Sequence, residues 1–370
     1  MSRRASAAVT LAAIGVAMAL ASSTGCYLAR ASWEEGRILA RRRPIPAVIA
    51  DPRTSAATRT ELRLVLAARR YAADSLGLSA GRSFTTYTAL DHDTLVLVLS
   101  GAYRDRLRPV TWWFPVVGRV PYKGYFDFPA AVRAAAELER QGFDAYVRPS
   151  PAFSTLGWFD DPLVSASLQS DSLELANTVI HELTHNTYYA SGRADFNESF
   201  ANFVGTRGAQ AFFRSRGDTA SVREIERRWA DEKVMGAFWA WVYGALDSAF
   251  RAHPGDSGVA RAERLAARDS IYKMARDSLG TSVPARAQTI PAPALANARL
   301  DNAVLLGRRV YRTDLDQFDA VYGRCGGDVR RTVVQIIAIA RGDRKDPFGG
   351  LRAWVGNPNA ACTSPGGRSA

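Results

Sequence analysis

The chain has few histidines, four in 370 residues, and it has no internal repeat and no clean domain boundary. This length fits one large domain or two small ones. A hydrophobic content of 47% and a charged content of 23% exclude a disordered chain. No nucleic-acid-binding motif accompanies the net charge of +12, and the arginines are scattered apart from a run at 41–43. We therefore predict no nucleic-acid partner, because a positive body beside an anionic membrane explains the charge equally well.

The N-terminus has the features of an export signal. Two arginines precede an apolar run over residues 7–21, which is shorter than the roughly 20 residues of a comfortable transmembrane helix. The small residues before Cys26 resemble a bacterial lipobox, in which the cysteine is lipidated and becomes the first mature residue. Ser23 departs from that pattern, since lipoboxes usually carry leucine there. We predict a lipoprotein signal over residues 1–25, with a plain cleaved signal or an uncleaved anchor as alternatives.

Lipid on Cys26 would anchor the protein in the bacterial cell envelope, facing the periplasm. Tyr27, which is not aspartate, follows the cysteine, and by resemblance to other lipoproteins this favours the outer membrane. Cys325 and Cys362 then remain as an even pair in an oxidising compartment, so we predict a disulfide between them. The alternative is two buried free thiols.

The pattern of apolar residues predicts an α+β chain that is mostly helical, with a small mixed β-sheet. Residues 26–370 are predicted to form one domain, with an N-terminal helical stalk over 27–43 and a helical half from Val222 onwards. Pro44 ends the predicted stalk. The other predicted helices cover residues 60–76, 129–141, 172–189 and 197–213, and the predicted strands cover residues 85–87, 94–99, 110–114, 116–120 and 144–148.

One pentapeptide combines two of the four histidines with a glutamate: His181-Glu182-Leu183-Thr184-His185. Histidines four residues apart lie close together on the surface of a helix, so their rings can share a metal ion. Glu182 lies beside them, where it can take a proton from a water molecule that the metal activates. With so few histidines in the chain, chance explains this pattern poorly, and we predict a zinc site.

A further glutamate follows on the next predicted helix. Asp195 could cap a helix that runs from 197 to about 213, and Glu198 would supply a carboxylate ligand near its start. His181, His185 and Glu198 would then form a three-ligand zinc site that leaves a position open for water. The alternative is that Glu198 only closes a capping box with Asp195.

Several segments accompany the zinc motif: Trp112–Gly118, Tyr122–Asp127, Ser154–Leu163 and Phe196–Glu198, with Asn302, Ala303 and Tyr311. Together with the motif they resemble the bacterial predicted-aminopeptidase family of zinc peptidases. The resemblance spans most of the chain, from about Leu39 to Phe318. The lipoprotein-like leader is also similar to the family.

The resemblance implies a zinc-dependent peptidase with a zincin-like fold of the gluzincin type, acting on peptides and labelled an aminopeptidase. Tyr311 lies within the matching segments, so we favour it as the residue that stabilises the oxyanion; Tyr122, Tyr125 and Tyr188 are the alternatives, and a buried structural role is the default for each. Gly205 departs from the family, in which we expect an acidic residue there. The glycine puts in doubt whether this chain has the carboxylate that, by the resemblance, would support a metal ligand or bind the substrate amine.

Other residues have candidate roles around the metal. Asn202 falls one turn after Glu198 on the same helix face, where it could accept the second ring N–H of a ligand histidine; a plain surface position is the alternative. We expect Ser154, Thr155, Leu156 and Gly157 to lie in an edge strand that pairs with the substrate backbone, as in zincin folds. The alternative for that segment is a packed loop rich in aromatic residues.

An aminopeptidase must hold the ammonium group of its substrate, and an unpaired buried charge is costly, so an acid must face the cleft. Asp127, Asp160 and Asp161 are the candidates; the alternative is a turn for Asp127 and a turn or a cap before Pro162 for the other two. The sequence thus predicts a membrane-anchored zinc aminopeptidase that acts on short peptides. A zinc endopeptidase and a non-catalytic lipoprotein scaffold are the alternatives, and Glu182 argues against the scaffold, which needs no base.

Overall fold

Helices make up most of a computed structural model of the chain, which describes residues 33–34, 36–91, 94, 96–114, 118–150 and 162–362. The strands of this part lie in three small sheets, one of them mixed, so the predicted α+β class is confirmed, although we predicted a single sheet. The predicted signal, Cys26 and the segment 154–157 lie outside the described residues.

The helices α1 to α12 are, in chain order, Ile45–Ala50, Ala56–Asp74, Phe128–Arg140, Ser172–Thr187, Ala194–Ser215, Thr219–Ala252, Gly258–Gly280, Ala292–Ala296, Asn302–Arg309, Leu315–Arg324, Val329–Gly342 and Pro347–Gly356. Residues 36–40 are also helical, within the predicted stalk. Helix α2 begins four residues before its predicted start, because the Ser55 hydroxyl accepts a hydrogen bond from the Thr58 N–H at 3.1 Å and caps it there.

The strands β1 to β8 are, in chain order, Arg43–Pro44, Thr86–Thr88, Val96–Tyr103, Trp112–Phe114, Gly118–Val120, Tyr122–Tyr125, Phe143–Ser150 and Leu163–Val164. Their sheet orders are β1-β2-β8, β6-β3-β7 and β4-β5. In the second sheet β3 is central and antiparallel to both neighbours. Strand β7 therefore forms an edge of this sheet within the described residues.

Strand β7 has two differently packed faces. Phe143, Ala145 and Val147 contact an apolar cluster that includes Leu138 of α3. The alternate residues face the other way, and Asp144 accepts hydrogen bonds there from Arg268 of α7 and from the backbone of α9. This second face of β7 also carries Arg148, which contacts Tyr311 in the candidate site described below.

The larger core surrounds α4 and α5. The apolar side of α4 faces this core, and its residues Leu175, Ala176, Val179, Ile180 and Leu183 are all buried. Helix α5 is buried along almost its whole length and packs against α4 on one side and α6 on the other. A second core lies between α6, α7 and α9.

A disulfide joins Cys325, at the end of α10, to Cys362, and the Cα atoms of the two residues are 5.2 Å apart. It ties the segment after α12 to the larger core, in which Cys325 is fully buried. Among the helices of the described residues, we find none with a stretch apolar and long enough to cross a membrane.

Candidate metal centre

The zinc motif lies in the last two turns of α4. Asp171 caps this helix, since its carboxylate accepts hydrogen bonds from the backbone N–H groups of Leu173 and Glu174. The helix runs without a break to Thr187, so His181 and His185 are separated by one turn and lie beside one another. Their side chains are mostly buried, with exposed fractions of 16% and 12%.

Helix α5 begins three residues earlier than predicted, at Ala194, and Asp195 does not cap it. Asp195 lies inside the first turn, where its carboxylate accepts a hydrogen bond only from the adjacent Phe196 N–H among the described contacts. The N-cap is Arg193, which makes no side-chain cap bond, so nothing local in the sequence marks this helix start. Glu198 is five residues beyond the cap, which overturns the alternative of a capping box for Glu198.

Asn197 fixes the connection between α4 and α5, a role that we did not predict. Its side-chain oxygen accepts a hydrogen bond from the Ala190 N–H, and its side-chain nitrogen donates one to the Ala190 carbonyl, both at 2.8 Å. Asn197 is fully buried, so both halves of its amide are satisfied by one backbone residue. The neighbouring Glu198 is thereby held at a fixed position relative to α4.

Two glycines allow α5 to approach α4 closely. A Cβ atom at Gly205 would overlap the side-chain oxygen of Asn177 and lie 3.2 Å from the Cβ of His181. A Cβ atom at Gly208 would lie 2.8 Å from a methyl carbon of Ile180. Close packing therefore explains why residue 205 is glycine in this chain. The acidic side chain that we expected at this position would not fit between the two helices. The Asn177 oxygen above Gly205 is buried and has no hydrogen-bond partner among the residues that the structure describes.

The close helix pair brings three potential metal donors together. The Nε2 atoms of His181 and His185 are 3.2 Å apart, and the two carboxylate oxygens of Glu198 lie 3.5 Å and 3.6 Å from them. In a tetrahedral zinc site with bonds of about 2.0–2.1 Å, neighbouring donor atoms are separated by roughly 3.3 Å. The donor types and their spacings therefore fit a zinc ion.

The charges around His185 and Glu198 favour the forms that bind a metal ion. At His181 burial lowers the pKa, but Glu198 and Glu182 outweigh burial and raise it, so a metal ion would compete with a proton there. Burial and the adjacent His181 lower the pKa of His185 to about 4, so its imidazole is neutral at pH 7. Burial alone would raise the pKa of Glu198, but its interactions with His181, His185 and Arg148 outweigh burial and lower it. A neutral imidazole and an ionised carboxylate are the forms that bind a metal ion.

Glu182 and Tyr311 lie near the three donors. Burial, followed by the charge of Glu198 and in part that of Glu182, raises the pKa of Tyr311 to about 12. Tyr122 also experiences the charge of Glu198, whereas Tyr188 lies near Arg341, whose guanidinium carbon is 5.8 Å from its ring centre. Because its pKa is about 12, Tyr311 is protonated at neutral pH and able to donate a hydrogen bond.

The backbone around Tyr311 is held by α5. The Asn202 side chain donates a hydrogen bond to the Tyr311 carbonyl at 3.1 Å. One turn earlier, the Ser199 hydroxyl donates to the Val310 carbonyl and accepts from the Thr313 N–H, both at 3.0 Å. The same helix therefore carries Glu198 and positions the segment that contains Tyr311.

The remaining predicted site residues have different placements. Asp127 caps α3, because its carboxylate accepts a hydrogen bond from the Ala130 N–H at 2.9 Å. We had considered a turn as its structural role, not a helix cap, and its role in substrate binding stays a prediction. Ser154, Thr155, Leu156 and Gly157, with Asp160 and Asp161, lie outside the described residues.

Arg148 is a residue of this site that we did not predict. It lies near the end of β7, and its guanidinium donates a long hydrogen bond of 3.4 Å to the Tyr311 hydroxyl. The sequence carries 48 lysines and arginines, and nothing in the local pattern distinguishes this one. Only the pairing of β7 with β3 and the packing of residues 310–313 bring it to the site.

The chain matches the model of a known protein family. The family model described as "Putative aminopeptidase" matches residues 26–347, which include all three potential metal donors, Glu182, Tyr311 and Arg148. No curated protein and no solved structure matches the chain.

Proposed function

The chain belongs to the "Putative aminopeptidase" family, and on that premise we propose that it is a zinc-dependent peptidase whose metal is held by His181, His185 and Glu198. The observation that carries this proposal is the set of donor separations, 3.2 Å, 3.5 Å and 3.6 Å, in a cluster beside Glu182. Two imidazoles and one carboxylate form a common ligand set of catalytic zinc sites. We also propose a zincin-like fold, because α4 carries the motif and α5 the third ligand.

A zinc ion in this cluster would polarise the scissile carbonyl and make a water molecule acidic enough to attack at neutral pH. Glu182 takes the proton from the attacking water and passes it to the leaving amine. The Tyr311 hydroxyl, protonated at neutral pH, donates a hydrogen bond to the oxygen that becomes negative in the transition state. Each residue has one task, and Glu182 needs no metal bond for its task.

Removal of the base tests catalysis separately from metal binding. Glu182→Gln should keep zinc and lose hydrolysis by a factor of about 10²–10⁴. A non-catalytic scaffold is the competing hypothesis, and it has no use for Glu182. Full peptide hydrolysis by Glu182→Gln would refute the mechanism, and no hydrolysis by the zinc-loaded wild type would favour the scaffold.

We propose that the substrates are short peptides cut from a free N-terminus, with an endopeptidase as the alternative. The test is a pair of peptides that differ only in N-terminal acetylation, which removes the charge without changing the scissile bond. The aminopeptidase hypothesis predicts that only the free peptide is cut. Cleavage of both peptides, or internal cuts in the acetylated one, would leave an endopeptidase.

We further propose that lipid on Cys26 anchors the protein in the cell envelope, facing the periplasm, at the outer membrane. The support is the sequence of the leader, in which small residues directly precede the cysteine. Cys26→Ser should move the protein from the membrane fraction to a soluble or uncleaved form. Unchanged fractionation would indicate a different anchor.

A further inference from the structure

Arg148 lies on the face of β7 that is directed toward α9 and the candidate site. Side chains alternate along a strand, so Asp144, Tyr146 and Arg148 share this face while Ala145 and Val147 pack on α3. Tyr146 contacts α9, since the Arg308 guanidinium carbon is 5.9 Å from its ring centre. Arg148 is the member of this row nearest to the end of the strand and to Tyr311.

The two charged residues of this row differ in how their charges are compensated. The buried Asp144 has a full set of partners, because Arg268 donates to both of its oxygens and the Asn302 N–H donates to one of them. Arg148 is partly buried, and among the described residues no carboxylate is in ion-pair contact with it. Its single described hydrogen bond goes to a neutral hydroxyl at 3.4 Å. The guanidinium has five N–H donors, so most of them are left for other partners such as a ligand.

The charge of Arg148 reaches the candidate metal centre. It contributes to lowering the pKa of Glu198, and it acts against burial at both Tyr311 and Tyr122. The guanidinium carbon is 5.9 Å from the centre of the Tyr311 ring. A cation beside Tyr311, with further N–H donors available, suits an anionic part of a ligand. Guanidinium and carboxylate match each other in geometry and form two parallel hydrogen bonds.

We propose that Arg148 binds the C-terminal carboxylate of a short peptide substrate and so makes the site selective for peptides with a free C-terminus. This inference rests on the proposed peptidase function, and it adds a substrate class to it. An extended peptide spans about 3.3–3.6 Å per residue, so only a short peptide can place its carboxylate beside Arg148 while its scissile bond is at the metal. Long polypeptides would lack this contact.

The experiment compares di-, tri- and tetra-alanine with their C-terminal amides. Binding is measured by calorimetry on zinc-loaded Glu182→Gln protein, which retains the ligand without hydrolysing it. For at least one length, the acid should bind about 10- to 100-fold more tightly than the amide, as expected for a charged hydrogen-bonded pair. Adding Arg148→Gln should remove this difference by weakening the acid alone, and Arg148→Lys should keep part of it.

Arg133→Gln is the matched control, because it removes one exposed arginine from α3, on the opposite face of the sheet. It should leave the preference for the acid unchanged. Zinc content and thermal unfolding of each variant show that the site and fold are intact. The proposal is overturned if acid and amide bind equally at every length, if Arg148→Gln weakens both equally, or if Arg133→Gln has the same effect.

Steady-state kinetics separate this role from stabilisation of the oxyanion. With otherwise wild-type enzyme, Arg148→Gln removes the bond to the Tyr311 hydroxyl for both substrates alike, so any resulting fall in kcat should be shared by the acid and the amide. Carboxylate binding predicts in addition that KM rises about 10- to 100-fold more for the acid than for the amide. A fall in kcat for both substrates with no difference in KM would contradict carboxylate binding and assign Arg148 to the transition state instead. If the wild type hydrolyses none of these peptides, the proposed function fails, while the calorimetric comparison still decides whether Arg148 binds a carboxylate.

Discussion

The side chain of Asn202 donates a hydrogen bond to the backbone carbonyl of Tyr311 at 3.1 Å, and Asn202 lies one turn after Glu198 on α5. One helix therefore supplies the third potential metal ligand and fixes the segment that carries the proposed oxyanion donor. This contact suggests a positioning role for Asn202 in addition to the predicted contact with a ligand histidine.

The two roles of Asn202 make different predictions. If Asn202 positions Tyr311, Asn202→Ala lowers kcat without loss of zinc, and adding it to Tyr311→Phe causes little further loss, because the two residues act as a unit. Tyr311→Phe alone should lower kcat by about 10²-fold. If Asn202 supports a ligand histidine, zinc affinity should instead fall by about 10- to 100-fold. Asn297→Ala, at an exposed position after α8, is the control and should change neither quantity.

Gly205 should tolerate no side chain. In Gly205→Ala the new methyl group meets Asn177 and lies 3.0 Å from its backbone oxygen, so we expect the free energy of unfolding to fall by about 1–3 kcal/mol. Gly244→Ala is the matched control, since Gly244 is inside α6 with nothing within 4 Å of a Cβ atom. That change should be neutral or stabilise by about 0.5–1 kcal/mol. Equal effects in chemical denaturation would show that the helices are not in close contact at Gly205.

Asp319 should be important for stability at neutral pH. Its carboxylate accepts hydrogen bonds from Arg207 and from the Trp229 indole at 2.8 Å, and it forms an ion pair with Lys233 at 3.0 Å. Asp319→Asn removes a buried charged partner from Arg207, which keeps Glu226, and from Lys233, which keeps Asp316, and it should lower the free energy of unfolding by about 3 kcal/mol. Asp316→Asn removes an exposed partner of the same lysine and should cost less than about 1 kcal/mol.

The stabilisation by Asp319 should depend on pH. Burial raises the pKa of Asp319, but Arg207, Trp229 and Lys233 outweigh burial and lower it below its unfolded value. The stabilisation is therefore fully present above the unfolded pKa, near 4, and is lost as the pH falls through the lower folded pKa. Denaturation at pH 7 and at pH 2–3 should show the gap between wild type and Asp319→Asn closing at acid pH. A gap of the same size at both pH values would contradict this account.

Local signals in the sequence were sufficient for part of the fold and site. The predicted bounds of α3 were right to within one residue, the predicted start of α4 was right, and the separation of His181 and His185 is fixed by one helix. The predicted start of α5 was wrong. Arg193, the N-cap, makes no side-chain cap bond, and the Asn197 side chain forms hydrogen bonds with the segment that connects α4 to α5. Propensity cannot reveal a helix start that tertiary contacts stabilise.

The rest of the site depends on long-range packing. Arg148 is far from Glu198 in sequence, and the pairing of β7 with β3 decides its position. The sequence marked Gly205 as unusual, but only the helix contact explains why a side chain is excluded there. The proximity of Asn202 to Tyr311 likewise depends on how residues 310–313 lie on α5.

The most direct test of the account is the zinc content of the purified chain from Tyr27 onwards and of its single variants, measured by elemental analysis. We predict about one zinc per chain for the wild type, for Glu182→Gln and for the control His253→Ala, whose imidazole pairs with Glu263 outside the cluster. His181→Ala and His185→Ala should hold no zinc, and Glu198→Ala should bind it weakly. A wild type without zinc, or full retention of zinc by His185→Ala and Glu198→Ala, would contradict the account.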